Sequence, residues 1–537
     1  MSKGTSRTVL AVNSSTQSVS GTLLDPTAGR ILWTGRITYG DVIGPRYGAP
    51  DGFITTPQKE VYSPPLMWIE GLSMLLDRLR SEVSPPEIRR IARIAGAGQQ
   101  HGTAYLRQGA EQMFDADPGL SLPELLEGQF SWDRAPIWMD STTREQCALL
   151  ESRLGGPLRV AELTGSIPTE RFSLPQILRF AEVQPELYDK TGHICLVSSL
   201  ICSCFLGRIA PMEPGDGSGM NLMNIRSLDW DPNILAAVED VAPNLRSRLP
   251  AILPSNAIAG PISNYMVTRY GFSSDAQVLP FSGDNPDSLL GMGVYGEASK
   301  TDPKPVLSLG TSDTLFALTD ELYDPQGSAN IMGAVTGGRM ALVCFKNGSL
   351  ARRAMRDAHF PGDDHWVRFD AALRSTVPAN NGRFMFPFFM PEITPNTCNL
   401  PIVRYFEGLD PQDGAACARA VVEGQFLNLG LQMQRLLGQP KTIRVTGGAA
   451  VNREVLRIAA DVLNATLELI AQSESGAILT DSVSLGGAIR ASATLGHELS
   501  SLVQTFCAPS GERIAPRNAG AYDGLRLRFA EAIRTAL

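Results

Sequence analysis

Histidine is scarce in this sequence: there are five in 537 residues, and none forms an HExxH or HxH pair. A zinc enzyme built on paired histidines is therefore not expected. The eight cysteines, Cys147, Cys195, Cys202, Cys204, Cys344, Cys398, Cys417 and Cys507, contain no CxxC. That spacing argues against a disulfide framework or a thiolate metal site, and they read as reduced core thiols. Basic tracts are missing as well. Lys and Arg number 47 against 55 Asp and Glu, for a net charge of −8. Nucleic acid is not an expected partner, because phosphate contacts need clustered cations. A local basic pocket for a small phosphate ligand stays open. No apolar run reaches the ~18 residues needed to span a bilayer. The longest, Ile194–Leu206, is interrupted by serines and predicts a buried helix. The apolar run Val9–Val12, after Met1–Arg7, is too short for a secretory core, so the expected location is cytoplasmic with no membrane partner. No GxxxxGK[ST] loop, low-complexity tract or heptad array occurs.

What remains is a globular chain, 43% hydrophobic, long enough for two large domains or several smaller ones. An internal repeat organises it. Val9-Leu10-Ala11-Val12-Asn13-Ser14-Ser15-Thr16 is a β-prone run ending in a hydroxyl-rich turn. Val306-Leu307-Ser308-Leu309-Gly310-Thr311-Ser312-Asp313 has the same shape. Further β-prone residues follow each, Val19–Leu24 and Thr314–Leu318, and a polar linker, Gly296–Pro305, precedes the second. Helical and β-prone segments alternate in both halves, which predicts α/β layers. Ser63 is positioned to cap a helix with Pro64 at its first position and an apolar face of Leu66, Met67, Ile69, Leu72, Leu75, Leu76 and Leu79. Strands are expected at Ile91–Ala97, Gln277–Phe281 and Thr442–Val445, and helices at Asp287–Met292, Gln425–Leu437 and Asn452–Leu463.

Several residues at strand ends are candidates for chemistry. Gly447-Gly448 follows a strand and opens a helix, an arrangement that suits either an anion or close structural packing. Gly310-Thr311-Ser312 offers amides and hydroxyls for a phosphate, or forms a simple turn. Asp284, in Ser282-Gly283-Asp284-Asn285-Pro286, is placed to accept a hydroxyl proton or to cap the next helix. His101 sits between Gly98 and Gly102 as a pocket residue or a turn residue. Nothing local separates Arg171 from a surface arginine, and Trp366 either covers a flat ring or packs.

These segments in this order resemble the FGGY carbohydrate kinases, nearest to the longer, eukaryotic-like branch that phosphorylates xylulose. The resemblance is carried by AGAGQQHG (95–102), PIWMDS (136–141), ERF (170–172), DGSGMNL (216–222), GDNP (283–286), SLGTSDTLF (308–316), CFKNGSL (344–350), EGQF (423–426) and TGGAAVNRE (446–454). It implies two actin-like (ribonuclease-H-like) α/β domains with a cleft between them, residues 1–299 binding sugar and residues 300–537 binding nucleotide. The implied cofactors are ATP and Mg²⁺, and the implied partner is a small sugar, with a homodimer left open. The implied reaction is phosphorylation of D-xylulose at its terminal hydroxyl. Alternatives are a kinase for another ketose or polyol, or a weakly catalytic sugar- or nucleotide-binding protein. By the same resemblance Asp284 is the general base, and His101, Arg171, Asp284 and Asn285 meet the sugar. Gly310, Thr311 and Ser312 meet the phosphates, and Trp366, Gly447, Gly448 and Asn452 the adenosine. Asn13 departs from the family. It stands where an Asp usually faces Mg²⁺, so its role toward the metal is expected to run through water.

Overall fold

The computed structural model describes residues 6–397, 400–470 and 481–537. Residues 1–5 of the basic N-terminus and Cys398 therefore lie outside the described residues. The chain forms two compact units. The first comprises Met1–Gly296 with Asp320–Met340 and Asp481–Cys507. The second comprises Glu297–Thr319, Ala341–Thr480 and Ala508–Leu537. Two stretches from the C-terminal half thus fold into the first unit.

In the first unit the sheet runs, in spatial order, Gln277–Val278, Ile91–Gly98, Thr8–Ser14, Ser18–Asp25, Arg30–Thr38. Thr8–Ser14 is antiparallel to Ser18–Asp25, with Val12 opposite Gly21, and parallel to Ile91–Gly98. Every residue of the two N-terminal strands is buried. Such strands read as continuous apolar and small-residue runs, because both sheet faces are covered. Helix Pro65–Glu82 packs on one face through Met67, Trp68, Ile69, Leu72, Leu75, Leu76 and Leu79. The cap expected at its start is absent. Ser63 Oγ instead donates to the Gly52 carbonyl at 2.7 Å, and Pro64 itself occupies the capping position. On the other face, helices Asp284–Gly291 and Ser482–Ala493 cross at backbone contact. A Cβ on Gly291 or Gly486 would lie 1.8 Å from a carbonyl oxygen of the facing helix, so glycine is required at both.

The second unit repeats this topology. Its sheet includes, in order, Arg339–Phe345, Asp313–Thr319, Val306–Leu309, Thr442–Thr446, Thr466–Ile470 and Pro509–Ile514. Val306–Leu309 is antiparallel to the strand after it and parallel to Thr442–Thr446, as Thr8–Ser14 is to its neighbours. The two halves that the repeat suggested are thus two α/β units with a shared strand order, the actin-like, ribonuclease-H-like architecture that the resemblance implied.

Three elements differ from expectation. Ile194–Leu206 is not one helix: strand Thr191–Leu196 leads into helix Val197–Leu206, and both are apolar because both are enclosed. The expected strand Gln277–Phe281 is broken into Gln277–Val278 and Ser282–Gly283, since Pro280 between them has no N–H for the ladder. The helix over Gln425–Leu437 begins at Gly414, its N-terminus capped by Asp413. Its first half hides polar residues in the core, so hydrophobic periodicity misses it. Arg419 pairs there with Glu423 at 3.0 Å, and Tyr522 donates to the same carboxylate at 2.7 Å. Of the seven described cysteines all are buried except the half-buried Cys344.

Candidate active site

In the first unit the sheet delivers several candidates to one edge. Ser282 and Gly283 pair with Ala97 and Gly98, the last residues of Ile91–Gly98, and Asn13 and Ser14 pair with the same two residues from the other side. Asn13, Gly98 to His101, and Asp284 therefore emerge together at strand ends, where the change from strand to turn frees side chains for ligands.

Asp284 opens helix Asp284–Gly291. Its Oδ1 accepts from the Asn285 main-chain N–H at 2.8 Å and from Asn285 Nδ2 at 3.0 Å. No cation pairs with it among the described residues. Desolvation pushes its carboxyl up to about 6, and main-chain hydrogen bonds from Asn285 and Gln100 hold it from rising further. Such a carboxylate is ionised at neutral pH yet basic enough to take a proton.

His101 lies in the left-handed region, with φ of 71°, in the turn after the strand. Its Nδ1 faces the Gly219 carbonyl at 2.7 Å. A carbonyl only accepts, so Nδ1 carries the proton and Nε2 is left as an acceptor. Burial, and then the nearby charge of Arg171, push the imidazole down to about 3, which keeps it neutral. Its ring stacks on Phe172 at 4.3 Å, and the Arg171 guanidinium lies 5.6 Å from the centre of the same phenyl ring. Both His101 and Arg171 are buried. The structure thus joins His101 to Arg171 through Phe172, and Asp284 to Asn285 directly. Asn13 is buried, and its Oδ1 has no hydrogen-bond partner among the described residues.

The second unit places its own set. Thr311 is exposed, with Gly310 and Ser312 half-buried, at the tip between Val306–Leu309 and Asp313–Thr319. The tip is braced from behind. Asp313 pairs with Arg352 at 3.0 Å, Arg352 reaches Gln425 Oε1 at 3.0 Å, and the Gly310 carbonyl accepts from Ser349 N–H at 3.0 Å. Gly447 has φ of 93°, and a Cβ there would meet the Leu309 carbonyl at 2.5 Å, so its glycine lets two turns touch. Gly448 is open: a Cβ there would have no neighbouring atom within 4 Å. Asn452 caps helix Arg453–Leu463 through its Oδ1, while its Nδ2 donates to Asp370 at 2.8 Å. Asp370 shares helix His365–Ser375 with Trp366, whose ring meets Phe369 edge-on and carries Arg356 at 4.6 Å.

Sequence reading did not single out Gln100, Phe172, the Glu213–Gly219 turn, Asp313 or Arg352. Gln100 stood beside His101 in AGAGQQHG, but its partners are distant in sequence. Asp216 is buried, takes the Ser198 hydroxyl at 2.5 Å and leaves Oδ1 unpartnered; burial, then the Asp284, Glu213 and Asp287 charges, hold its carboxyl well above the usual range.

Two family models match the chain: the N-terminal domain of the FGGY family of carbohydrate kinases over residues 131–291, and the C-terminal domain of that family over 306–494. The chain belongs to the FGGY family of carbohydrate kinases. Among curated relatives, xylulose kinase of Rattus norvegicus is 36% identical, over 91% of this chain and 89% of its own length. Xylulose kinase 2 of Arabidopsis thaliana is 35% identical, over 90% and 86%. Among solved structures, a ligand-bound xylulose kinase from Lactobacillus acidophilus superposes with a TM-score of 0.81 at 18% identity, covering 99% of this chain and 98% of that one. Plasmodium falciparum glycerol kinase with ADP gives 0.76 at 15%, with the same coverage. These two establish the fold.

Proposed function

We propose that this chain transfers the γ-phosphoryl group of ATP to the terminal hydroxyl of D-xylulose, giving D-xylulose 5-phosphate. The observation that carries the reading is Asp284, a carboxylate at a sheet edge with its basicity raised and no cation to neutralise it. The relatives named xylulose kinase support the choice of sugar.

In this reading Asp284 takes the hydroxyl proton as the oxygen attacks phosphorus. Asn285 holds Oδ1, leaving Oδ2 to face the hydroxyl. Neutral His101 accepts from a second hydroxyl through Nε2, and Arg171 and Asn285 complete the sugar contacts. Residues 1–299 serve the sugar and residues 300–537 the nucleotide. Gly310, Thr311 and Ser312 present N–H and O–H donors to the phosphates, and Trp366, Gly447, Gly448 and Asn452 border the nucleoside. Phosphoryl transfer asks mainly for alignment and charge stabilisation, which such fixed donors supply.

Mg²⁺, when bound with ATP, neutralises charge on the phosphate oxygens. No cluster of three or more His, Cys, Asp or Glu suited to a metal occurs among the described residues. The buried, unpartnered Oδ1 of Asn13 is an acceptor of the right kind for a water in a hydrated Mg²⁺ shell, so Asn13 fits a role through water. The reading places the enzyme in the cytoplasm. Among the described residues no helix is long and apolar enough to cross a membrane.

The test is a coupled ADP-release assay over pentuloses, hexuloses and polyols, with the product's phosphate located by NMR. Xylulose should give the highest kcat/KM and a 5-phosphate. A preferred hexulose or polyol would replace the substrate. Absence of turnover across the panel, with sugar and nucleotide still bound, would make the chain a binding protein.

A further inference from the structure

Four groups in the first unit form a hydrogen-bond chain whose direction is fixed from one end. The Gly215 carbonyl accepts Gln100 Nε2–H at 3.3 Å. This turns Gln100 Oε1 the other way, where it accepts Asn285 Nδ2–H at 2.9 Å. The second Nδ2 hydrogen goes to Asp284 Oδ1 at 3.0 Å. Both hydrogens of that amide are then used, and the Asn285 carbonyl oxygen is the atom left over.

The chain is built in, not incidental. The Gln100 amide is seated on Gly283: a Cβ there would lie 2.6 Å from Gln100 Cγ, 2.8 Å from Cδ and 2.9 Å from Nε2. Any side chain before Asp284 would expel Gln100. The other end is anchored by Glu213, whose carboxylate accepts from Ser282 Oγ at 2.5 Å, from Ser255 Oγ, and from the Asp216 N–H at 3.3 Å. Gly219 of the same turn accepts from His101. One turn therefore references both sides of the sugar pocket.

We infer that Gln100 is a positioning residue that sets the polarity of the Asn285 amide, so that Asn285 meets the sugar with its carbonyl oxygen and the hydroxyl it recognises must donate. This rests on Asp284 and Asn285 being the base and a sugar contact, as proposed above. Gln100 need not touch substrate. It acts by denying Asn285 the flipped state, in which an NH₂ would face the sugar and a carbonyl oxygen would be driven against the Asp284 carboxylate.

The titratable or charged groups around the pocket are Asp216 and Glu213 on the turn, Asp287 with its partner Arg490, and His101 with Arg171. A Gln100→Met variant alters none of them and nearly conserves volume beside Met332, whose sulfur is 3.3 Å from Nε2. It should lower kcat about tenfold and shift the acid limb of kcat/KM upward by about half a unit, because Asp284 loses a firmly held donor. A Gln100→Met enzyme with normal melting and an unmoved pH profile would reduce Gln100 to a space-filler and overturn the inference. Wild-type enzyme gives an independent readout, should the variant not fold. At the sugar carbon whose deoxy penalty disappears in Asn285→Ala, the deoxy and deoxyfluoro analogues should be equally poor, since fluorine cannot donate. A fluoro analogue at least fivefold better than the deoxy one would mean that Asn285 presents its NH₂, and the inference would fall. Asp284→Asn separates the two levels. If that variant keeps its rate, the base assignment is wrong; if it is inactive while Gln100→Met behaves as wild type, only the present inference is wrong.

Discussion

The two units open with the same hairpin and differ at its tip. In the second, Asp313 behind the turn is locked to buried Arg352, which in turn is tied to Gln425 and Ser349. Its hydroxyl-bearing Thr311 is left in solvent. In the first, no ion pair among the described residues braces the tip. Thr16 Oγ1 donates to Gln99 and accepts from Trp138, Ser15 bonds Ser18, and Asn13 keeps a buried oxygen with no partner. The acids of the two units repeat the contrast. Burial raises both Asp313 and Asp284, but Asp313 has a cation that opposes the rise and Asp284 has only N–H donors. A compensated carboxylate holds structure; an uncompensated one holds chemistry at a cost in stability.

The sharpest way to break this comparison is to neutralise each acid in turn. Asp284→Asn should reduce turnover by about 10²–10⁴. It should also stabilise the fold at neutral pH. The folded carboxyl titrates near 6, above the ordinary 3.8, so its ionisation opposes folding as pH rises from about 4 to about 6. The variant should therefore melt higher than wild type at pH 8 and no higher at pH 4. The same titration makes wild-type kcat/KM fall below about pH 6. A variant within tenfold of the wild-type rate, or one melting lower at pH 8, would contradict the assignment.

Arg352→Met should do the opposite. It leaves the Asp313 carboxylate buried without its cation, which typically costs about 3–5 kcal/mol. Denaturant unfolding should show that loss, and pairing it with Asp313→Leu should recover most of it. Nucleotide KM should follow the stability of the tip and sugar KM should not. Equal stability of Arg352→Met and wild type would show that the pair is not a brace.

What the sequence made legible follows from how local each signal is. The hairpins were readable because small and β-branched residues run unbroken to a hydroxyl-rich turn, and helix Pro65–Glu82 because its apolar face has one period. Asp284 and Asn285 were readable as strand-end residues of a motif. The relay from Gly215 through Gln100 to Asn285 was not, because its bonds join residues 115 and 185 positions apart. Nor was the first half of helix Gly414–Leu437, where Arg419 and Glu423 lie inside and read as surface residues. Long-range polar satisfaction leaves no period to detect.

A smaller effect is expected at His101. His101→Asn suits the left-handed backbone, and its amide can still donate to the Gly219 carbonyl, while the ring and the Nε2 acceptor are lost. Loss of one buried hydrogen bond predicts about 1–3 kcal/mol, or roughly a tenfold to hundredfold rise in sugar KM, with ATP KM unchanged. A rise in ATP KM alone would move His101 to the nucleotide side.

The smallest effect, and the most informative about the first hairpin, is expected at Asn13. Its unpartnered oxygen is a standing cost, since a buried acceptor without a donor is typically penalised by about 1–3 kcal/mol. The residue opposite it in register, Ser20, has its hydroxyl committed to Asp481 at 2.6 Å, and Tyr39 bonds Ser14, so this oxygen is left unused among the described residues. The simplest physical reason is a donor that arrives with the ligand, such as water carried by Mg²⁺. Asn13→Asp keeps the shape and adds a charge, so it should lower the Mg²⁺ concentration giving half-maximal rate by about threefold to tenfold, leaving sugar KM alone. The same charge, buried without partners when ligand is absent, should lower the melting temperature of the free protein, and saturating Mg²⁺-ATP should restore it. The coupled signs matter: a destabilised apoprotein rescued by Mg²⁺-ATP puts the metal beside residue 13. A variant whose Mg²⁺ titration overlays that of wild type, whatever its melting temperature, would mean that Asn13 serves only its own turn.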